Sequence, residues 1–386
     1  MKKILILTHH NSNDIGGIER YVKNLIEIFT SNSYLVYEIN IFSEKKYLNF
    51  AKHNYNYIYT PFFEKLNLKN KEKEISNKNI WKKIFYYFKF YLCELKNCFF
   101  IKKFVKQNKI DIVINNNFST PLFFNKNTKY IWVQHFDEKI YSSISMFQKI
   151  IRKLLFIKNV LHYPNLVLFS QKDTKIFIEK KMVKKNTNIK DIVPAINFPI
   201  ATSIPNWNID FNKKLNISYI GRMENGQKNI SFLNEIVELS IKLNKPINIH
   251  AYGTGLDENL LKNKKNIIFH GFINSEEIQD IYKETKILLL PSKFEGFPLV
   301  IVEALSHGIP CIISDTYLNA SYLIDNSRGS LIPNFNANVW LNEIEKILNL
   351  SEIEYNQLSK KCYEFAKTNL NFQEFKNKWL SLIKNF

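Results

Sequence analysis

The chain has 386 residues, more than one ordinary core holds, so two domains of about 150–200 residues are expected. Its composition, 45% hydrophobic and 23% charged, excludes a disordered chain, and no run of about 18 apolar residues is present to span a membrane. The net charge of +19 lies in the first half: residues 1–200 carry 34 Lys/Arg against 15 Asp/Glu, whereas residues 201–386 carry 20 of each.

In chain order, "KKILILTHH" reads as a first buried strand rather than a signal peptide, because its apolar run is short and ends in polar residues. "GGIERYVKNLIEIF" follows with Ile18, Tyr21, Val22, Leu25, Ile28 and Phe29 at helical spacing. "YLVYEINIF", "KIDIVINNN", "KYIWVQH" and "NLVLFS" are further strands, and "QKDTKIFIEKKM" is a helix. Strands alternating with helices imply a parallel sheet wound with helices. The pattern lapses in "VPAINFPIATSIPNWNIDFNKK", where three prolines interrupt any periodicity. It restarts with the strands "LNISYIGR", "PINIHAYG", "NIIFHG", "KILLLPS" and "PCIISD" and the helices "NISFLNEIVELSIKL", "SEEIQDIYKET" and "PLVIVEALSHG". "FQEFKNKWLSLIKNF" closes the chain as an amphipathic helix. The expected division is therefore an N-terminal domain over 1–200, a linker at 201–212, a second domain over 213–365 and a terminal helix over 366–386. Two doubly wound domains facing each other across a cleft would place a ligand at the carboxyl ends of their strands.

Residues 69–109 stand apart. Trp81, Ile84, Phe85, Phe88, Leu92, Leu95 and Phe99 follow helical spacing, and Lys82, Lys89, Lys96 and Lys103 recur every seven residues along the border of that stripe. Such a helix could lie in an anionic bilayer interface with its lysines reaching the headgroups, or could cover the sheet with its apolar side. The basic half suggests an anionic partner: bilayer surface, nucleic acid or phosphorylated acceptor. A nucleic-acid partner is disfavoured, because the aromatics sit at buried-face spacing rather than on an exposed groove. The four cysteines show neither metal nor redox spacing, which fits reduced thiols in a cytoplasmic protein.

The chemistry concentrates in "PSKFEGFPLVIVEALSHG". Pro298 suits the first turn of a helix that stops at Gly308, before Pro310. Glu295 would sit in the loop at the strand's carboxyl end, and Glu303 about one and a half turns into the helix. The free amides of Phe297 to Val300 would face an anion. A phosphate flanked by two hydroxyl-rich groups, as in a nucleotide sugar, matches that pattern. In "YIGRMENGQKNISFL", Gly221 and Arg222 end a strand and Lys228 precedes a helix, so fixed positive charge could hold a diphosphate there. Gly253 and Gly255 of "AYGTGLDENLL" and Gly271 of "FHGFI" are turn glycines after strands, and His270 reads as a packed residue beside Gly271. His135 ends a strand, where it could face a ligand or only cap a loop, with Asp137 beside it; His9 and His10 end another.

The run "GR…K", "YGTG", "IIFHGFI", "LLLPSKFEGFPLVIVEALSHGIPCIISD" resembles the family 4 retaining glycosyltransferases of GT-B fold, most closely over residues 215–330 and in their bacterial surface-polysaccharide form. In the first half "GGIERY" and the His of "WVQHFDE" carry the likeness. The resemblance implies a GT-B enzyme of two Rossmann-like domains, with a nucleotide-diphosphate sugar on the second and the acceptor on the first. It implies no metal and no cofactor, in agreement with the want of an Asp-x-Asp at a strand end. Carried onto this sequence, Arg222 and Lys228 would grip the diphosphate, Glu295 the donor sugar's hydroxyls, and Glu303 the ribose. Phe297, Pro298 and Leu299 would lend backbone, Gly16 and Gly17 would approach the β-phosphate, and His135 would face the sugar. The activity implied is metal-independent transfer of a hexose-type unit from a UDP sugar to a lipid-linked glycan of capsule or lipopolysaccharide type. The enzyme would be cytoplasmic or peripheral on the inner face of the membrane. A GT-B epimerase or phosphorylase is the alternative.

Overall fold

A computed structural model describes residues 1–13, 16–41, 51–52, 54–62, 80–116, 124–135, 163–181, 183–195, 216–274 and 277–386. These fall into two compact units. The first takes the described residues between Met1 and Val193 together with Lys376–Phe386; the second takes those between Pro194 and Phe375. The expected linker at 201–212 lies outside the described residues.

The first unit is built on an eight-stranded sheet, order β3-β4-β2-β1-β5-β6-β7-β8, where β1 is Lys3–Thr8, β2 Leu35–Asn40, β3 Ala51–Lys52, β4 Tyr55–Ile58, β5 Ile112–Asn115, β6 Lys129–Val133, β7 Asn165–Leu168 and β8 Asn188–Asp191. All its pairings are parallel except β3 with β4. The central strands are buried on both faces, as the unbroken runs "ILIL" and "IVIN" require. Helix Gly17–Ser31 buries Tyr21, Val22, Leu25, Ile28 and Phe29 at the spacing that the sequence showed. The last helix, Phe372–Lys384, delivers Trp379 to this unit, where its Nε1 donates to Tyr21 Oη at 3.2 Å and its rings meet Tyr21 and Phe29 edge-on.

Helix Ile80–Asn108 bears on both readings of residues 69–109. The stripe does not cover the sheet along its length: Phe85, Leu92, Leu95 and Phe99 are exposed, Cys98 is buried, and Ile101 and Val105 turn inward onto a core with Leu5, Val113 and Trp132. Lys89, Lys96, Lys103 and Lys106 are exposed as well, and Lys89 Nζ lies 4.5 Å over the Phe85 ring. Among the described residues no helix is long and apolar enough to cross a membrane. The four cysteines form no disulfide.

The second unit carries a six-stranded sheet, order β11-β10-β9-β12-β13-β14, with β9 Asn216–Ile220, β10 Ile249–Tyr252, β11 Ile267–Gly271, β12 Thr285–Leu290, β13 Cys311–Ser314 and β14 Gly329–Ile332. Every pairing is parallel, so all carboxyl ends share one edge. Because β9 and β12 are neighbours, the loops that follow them are neighbours too. The sequence had suggested neither β14 nor the helices Ala337–Leu348 and Glu352–Asn369, which pack on this unit through Trp340 and Tyr355.

Candidate functional site

The site grows from the carboxyl edge of the second sheet. After β9 the chain runs through Gly221 and Arg222 into a one-turn helix, Asn225–Lys228, which ends where Asn229 turns left-handed at φ 53°. This loop is held from three sides. Tyr219 Oη donates to Arg222 O at 2.9 Å, Asn225 N donates to Asp257 Oδ2 at 2.9 Å, and Ser231 N donates to Asn225 Oδ1 at 2.9 Å. The loop after β10 presses against it so closely that a side chain at Gly253 would overlap the Gly221 carbonyl oxygen, and one at Gly255 that of Met223. Gly253 also lies at φ 128°, a conformation that L side chains rarely adopt. Its role in the structure is therefore this close approach of two backbones.

The loop after β12 brings the acid. Lys293 N donates to Gln227 O at 2.8 Å, and Ser314 Oγ and Thr316 Oγ1 donate to Ser292 O at 2.5 and 2.8 Å. Held there, Glu295 meets Lys228: Nζ to Oε1 is 2.5 Å, with side-chain exposures of only 12% and 8%. Gln227 Nε2 donates to the other carboxylate oxygen and to Phe294 O, each at 3.3 Å, and its Oε1 accepts from Arg222 Nη2 at 2.8 Å. Arg222, Gln227, Glu295 and Lys228 thus form one continuous polar chain. Gln227 was missed in the sequence; its only signal was its place between the two expected cations. Arg222 also pairs with Glu224 at 3.4 Å, but at exposures of 55% and 41% that pair is weak and exchangeable. Burial pushes the Tyr219 and Tyr317 phenols up, and the Glu295 charge adds to the shift.

Pro298 is the N-cap of helix Leu299–Ser306 and has no side-chain group to cap its first amides. Asn319 Nδ2 donates to Gly296 O at 3.1 Å and fixes the turn before it. Glu303, one turn in, is only 2% exposed, and its Oε2 accepts from Tyr282 Oη at 2.6 Å. Tyr282 stacks on His307 at 4.8 Å, and His307 Nδ1 donates to Glu303 O at 2.8 Å. Burial, with Lys283 adding, lowers the His307 pKa to about 4. Gly308, at φ 71°, then ends the helix, with Ile309 N donating back to Ala304 O.

His270 departs from expectation: it is exposed rather than packed. It stacks on Tyr252 at 4.3 Å and 10°, and its Nε2 lies 3.0 Å from His250 Nδ1. Gly271 beside it takes φ 75°.

The other expected residues lie on the first unit. Gly16 is in extended backbone at φ 168°, where a side chain would overlap the Glu19 carboxylate, and Gly17 opens the helix. His135 follows β6 and is buried, its Nε2 2.8 Å from Asn116 Oδ1. Its ring meets Tyr21 and Phe169 edge-on at 4.9 and 5.3 Å. Burial, with His9 adding, lowers its pKa to about 3. Asp137 lies outside the described residues. Sequence reasoning also passed over Glu38. This fully buried acid accepts from Ser12 N at 2.9 Å, Asn40 Nδ2 at 2.9 Å, Ser12 Oγ at 2.8 Å and Tyr55 Oη at 2.6 Å. Asn40 Nδ2 also donates to His10 O at 2.8 Å, so the network fixes the loop that leaves β1.

Residues 204–368 match the family model described as glycosyl transferases group 1. A 41.2 kDa protein of the Klebsiella pneumoniae cps region is 26% identical over 45% of this chain and 47% of its own length. The poly(ribitol-phosphate) alpha-N-acetylglucosaminyltransferase of Staphylococcus aureus is 23% identical over 74% of this chain and 58% of its own. The chain thus spans about half the length of these two relatives. Among solved structures, a sucrose-phosphate synthase from Thermosynechococcus elongatus superposes with a TM-score of 0.78 at 17% identity, covering 100% of this chain and 99% of that one. By its architecture the chain has the GT-B fold, and residues 204–368 of its second unit are similar to the glycosyl transferases group 1 model.

Proposed function

We propose that the chain is a retaining, metal-independent glycosyltransferase that moves a hexose-type sugar from a UDP sugar to a lipid-linked glycan of a bacterial surface polysaccharide. The observation that carries this reading is the Arg222–Gln227–Glu295–Lys228 chain beside the uncapped start of helix Leu299–Ser306. Lys228 has three donors and spends one on Glu295, so two remain for phosphate oxygens. Arg222 can exchange Glu224 for the same ligand. Helix-end amides add fixed partial positive charge. Together these groups stabilise the negative charge that builds on a departing diphosphate. Glu295 accepts from hydroxyls of the transferred sugar, and Glu303, oriented by Tyr282, from the ribose. His135, on the first unit, accepts from a sugar hydroxyl. The curated relatives support the acceptor class: they include a Campylobacter jejuni transferase whose name carries a diphospho-undecaprenol acceptor and an Escherichia coli UDP-Gal:alpha-D-GlcNAc-diphosphoundecaprenol alpha-1,3-galactosyltransferase.

The membrane side of the proposal rests on helix Ile80–Asn108. Its exposed Phe85, Leu92, Leu95 and Phe99 run alongside exposed Lys89, Lys96 and Lys103, a pattern suited to lying in an anionic interface. The full chain should sediment with phosphatidylglycerol vesicles and not with phosphatidylcholine ones; equal binding to both would remove the electrostatic part of the reading. The activity is tested with a panel of sugar nucleotides, following release of nucleoside diphosphate with and without chelator. Turnover with a UDP sugar in chelator is expected, and a strict metal requirement would overturn the role of Arg222 and Lys228.

A further inference from the structure

We propose that Asn116 is a positioning residue for His135, holding it as the Nε2–H tautomer so that Nδ1 presents a lone pair to a sugar hydroxyl. The inference rests on the transferase reading for its ligand, but its physical core stands on the first unit alone. β5 and β6 are adjacent strands, and Asn116 and His135 follow their carboxyl ends. Both backbones are anchored by the sheet: Asn116 N donates to Leu7 O at 2.9 Å, and Gln134 N donates to Val167 O at 3.1 Å. The two side chains, 2% and 8% exposed, then meet at 2.8 Å.

The atom on Asn116 that meets the ring is Oδ1, which can only accept. His135 Nε2 therefore carries the proton in that bond. A neutral imidazole has one N–H, so Nδ1 is left as an acceptor. Tyr21 from helix Gly17–Ser31 and Phe169 from beyond β7 clamp the ring faces and edge, and His9 is the charged-capable neighbour that disfavours a second proton. Tyr21 is itself tied to Trp379. A sugar hydroxyl that donates to Nδ1 matches this state; a protonated ring would have no acceptor to offer.

A second observation points to a ligand at the same edge. Asn116 Nδ2 is buried and has no hydrogen-bond partner among the described residues, and neither has Thr8 Oγ1 at the end of the neighbouring β1. A buried amide donor left unmatched is costly, and such groups in folded proteins are nearly always satisfied. A ligand oxygen beside His135 would satisfy it. Asn116 would then both orient the histidine and contribute a donor of its own.

The test uses the full chain labelled with nitrogen-15 at histidine, and long-range proton–nitrogen correlation to read the His135 tautomer. Wild type is expected to show Nε2–H, and Asn116→Leu a mixture or the Nδ1–H form. Asn116→Asp keeps the shape but replaces the amide with a carboxylate that stabilises imidazolium. It should raise the His135 pKa by at least one unit and move the acid limb of the transfer profile up with it. Asn116→Ala should lower kcat roughly tenfold to hundredfold, the loss of one buried hydrogen bond. An Nδ1–H wild type, or a tautomer that Asn116→Leu and Asn116→Asp both leave unchanged, would overturn the proposal whether or not transfer is detected. A tautomer that responds as expected, in a protein that turns over no sugar nucleotide, would sustain the positioning role and reject the transferase reading instead.

Discussion

At the carboxyl edge of the second sheet, charged side chains are held in mutual pairs: Arg222 with Glu224, Lys228 with Glu295. The corresponding edge of the first sheet presents neutral groups, the amide of Asn116 and the depressed imidazole of His135, while the Glu38 carboxylate beneath the β1 loop is enclosed by donors. The difference separates two kinds of recognition. Paired charges can be repartitioned onto an incoming anion, because the cation keeps donors to spare. Neutral amides and rings pay no comparable desolvation and suit hydroxyls, which carry no charge to balance.

The largest effect should come from what holds the charged edge in shape. Gly253→Ala would force a methyl group into the Gly221 carbonyl and hold a strained φ, so the Arg222 loop and the loop after β10 could not both keep their places. We expect a loss of about 4 kcal/mol or more, at the extreme of single substitutions. Denaturant unfolding of the full chain reads this, and a stability within 1 kcal/mol of wild type, on the order of ordinary surface changes, would show the contact to be loose.

Next in size is the charge pair itself. Under the proposed function, Lys228→Ala removes one of the cations that would hold the diphosphate, and turnover of a UDP sugar should fall roughly 100- to 1000-fold, the range for losing one preorganised stabilising group. It also leaves Glu295 buried without its partner, so the variant should be less stable, whereas Lys228→Ala combined with Glu295→Gln should recover much of the stability and none of the rate. Recovery of the rate by the double change would mean that the pair serves the fold alone. On the first unit, Glu38→Gln should cost about 1–3 kcal/mol, because an NH₂ group would face donors where an oxygen accepted them. If the loss is smaller, the enclosed carboxylate is not what orders the β1 loop.

The two edges were not equally legible in the sequence. The strand ends and the Glu295–Glu303 spacing could be placed because an apolar run, a Gly-Phe-Pro turn and a Gly stop are local signals. Gln227 and Tyr282 could not, since their roles exist only when residues 68 and 21 positions away close on them. Glu38 offered one hint, an acid inside an apolar strand, but its donors come from Ser12, Asn40 and Tyr55. Periodicity failed on helix Ile80–Asn108 for another reason: it is apolar on two sides, and spacing cannot say which side meets the sheet. β8 escaped notice because "NIKD" is a polar edge strand with half its residues exposed. His270 was misplaced because an adjacent glycine says nothing about burial.

The smallest effect concerns one neutral histidine on each unit. His135 on the first unit and His307 on the second are both held below the ordinary value of 6.5, at about 3 and about 4, with burial the main cause. Their hydrogen bonds fix opposite tautomers: His307 donates from Nδ1 to Glu303 O, and His135 from Nε2 to Asn116 Oδ1. The sign of the pH effect follows from the depressed values. Above 6.5 neither state binds the proton and the contribution to stability is whole. As pH falls, the unfolded chain protonates first and stability is lost, for His307 between 6.5 and about 4 and for His135 on down to about 3. Each can contribute a slope of up to about 1.4 kcal/mol per pH unit, less for His307, whose ring is partly open to solvent. His307→Asn, which keeps a donor for the Glu303 carbonyl, should flatten the stability curve above pH 4 while leaving the His135 part in place. Urea titrations from pH 7 to 4 measure it. Parallel curves for wild type and His307→Asn would mean that the imidazole beside Tyr282 takes up its proton in the folded protein, and that Glu303 is then flanked by a cation rather than by a neutral ring.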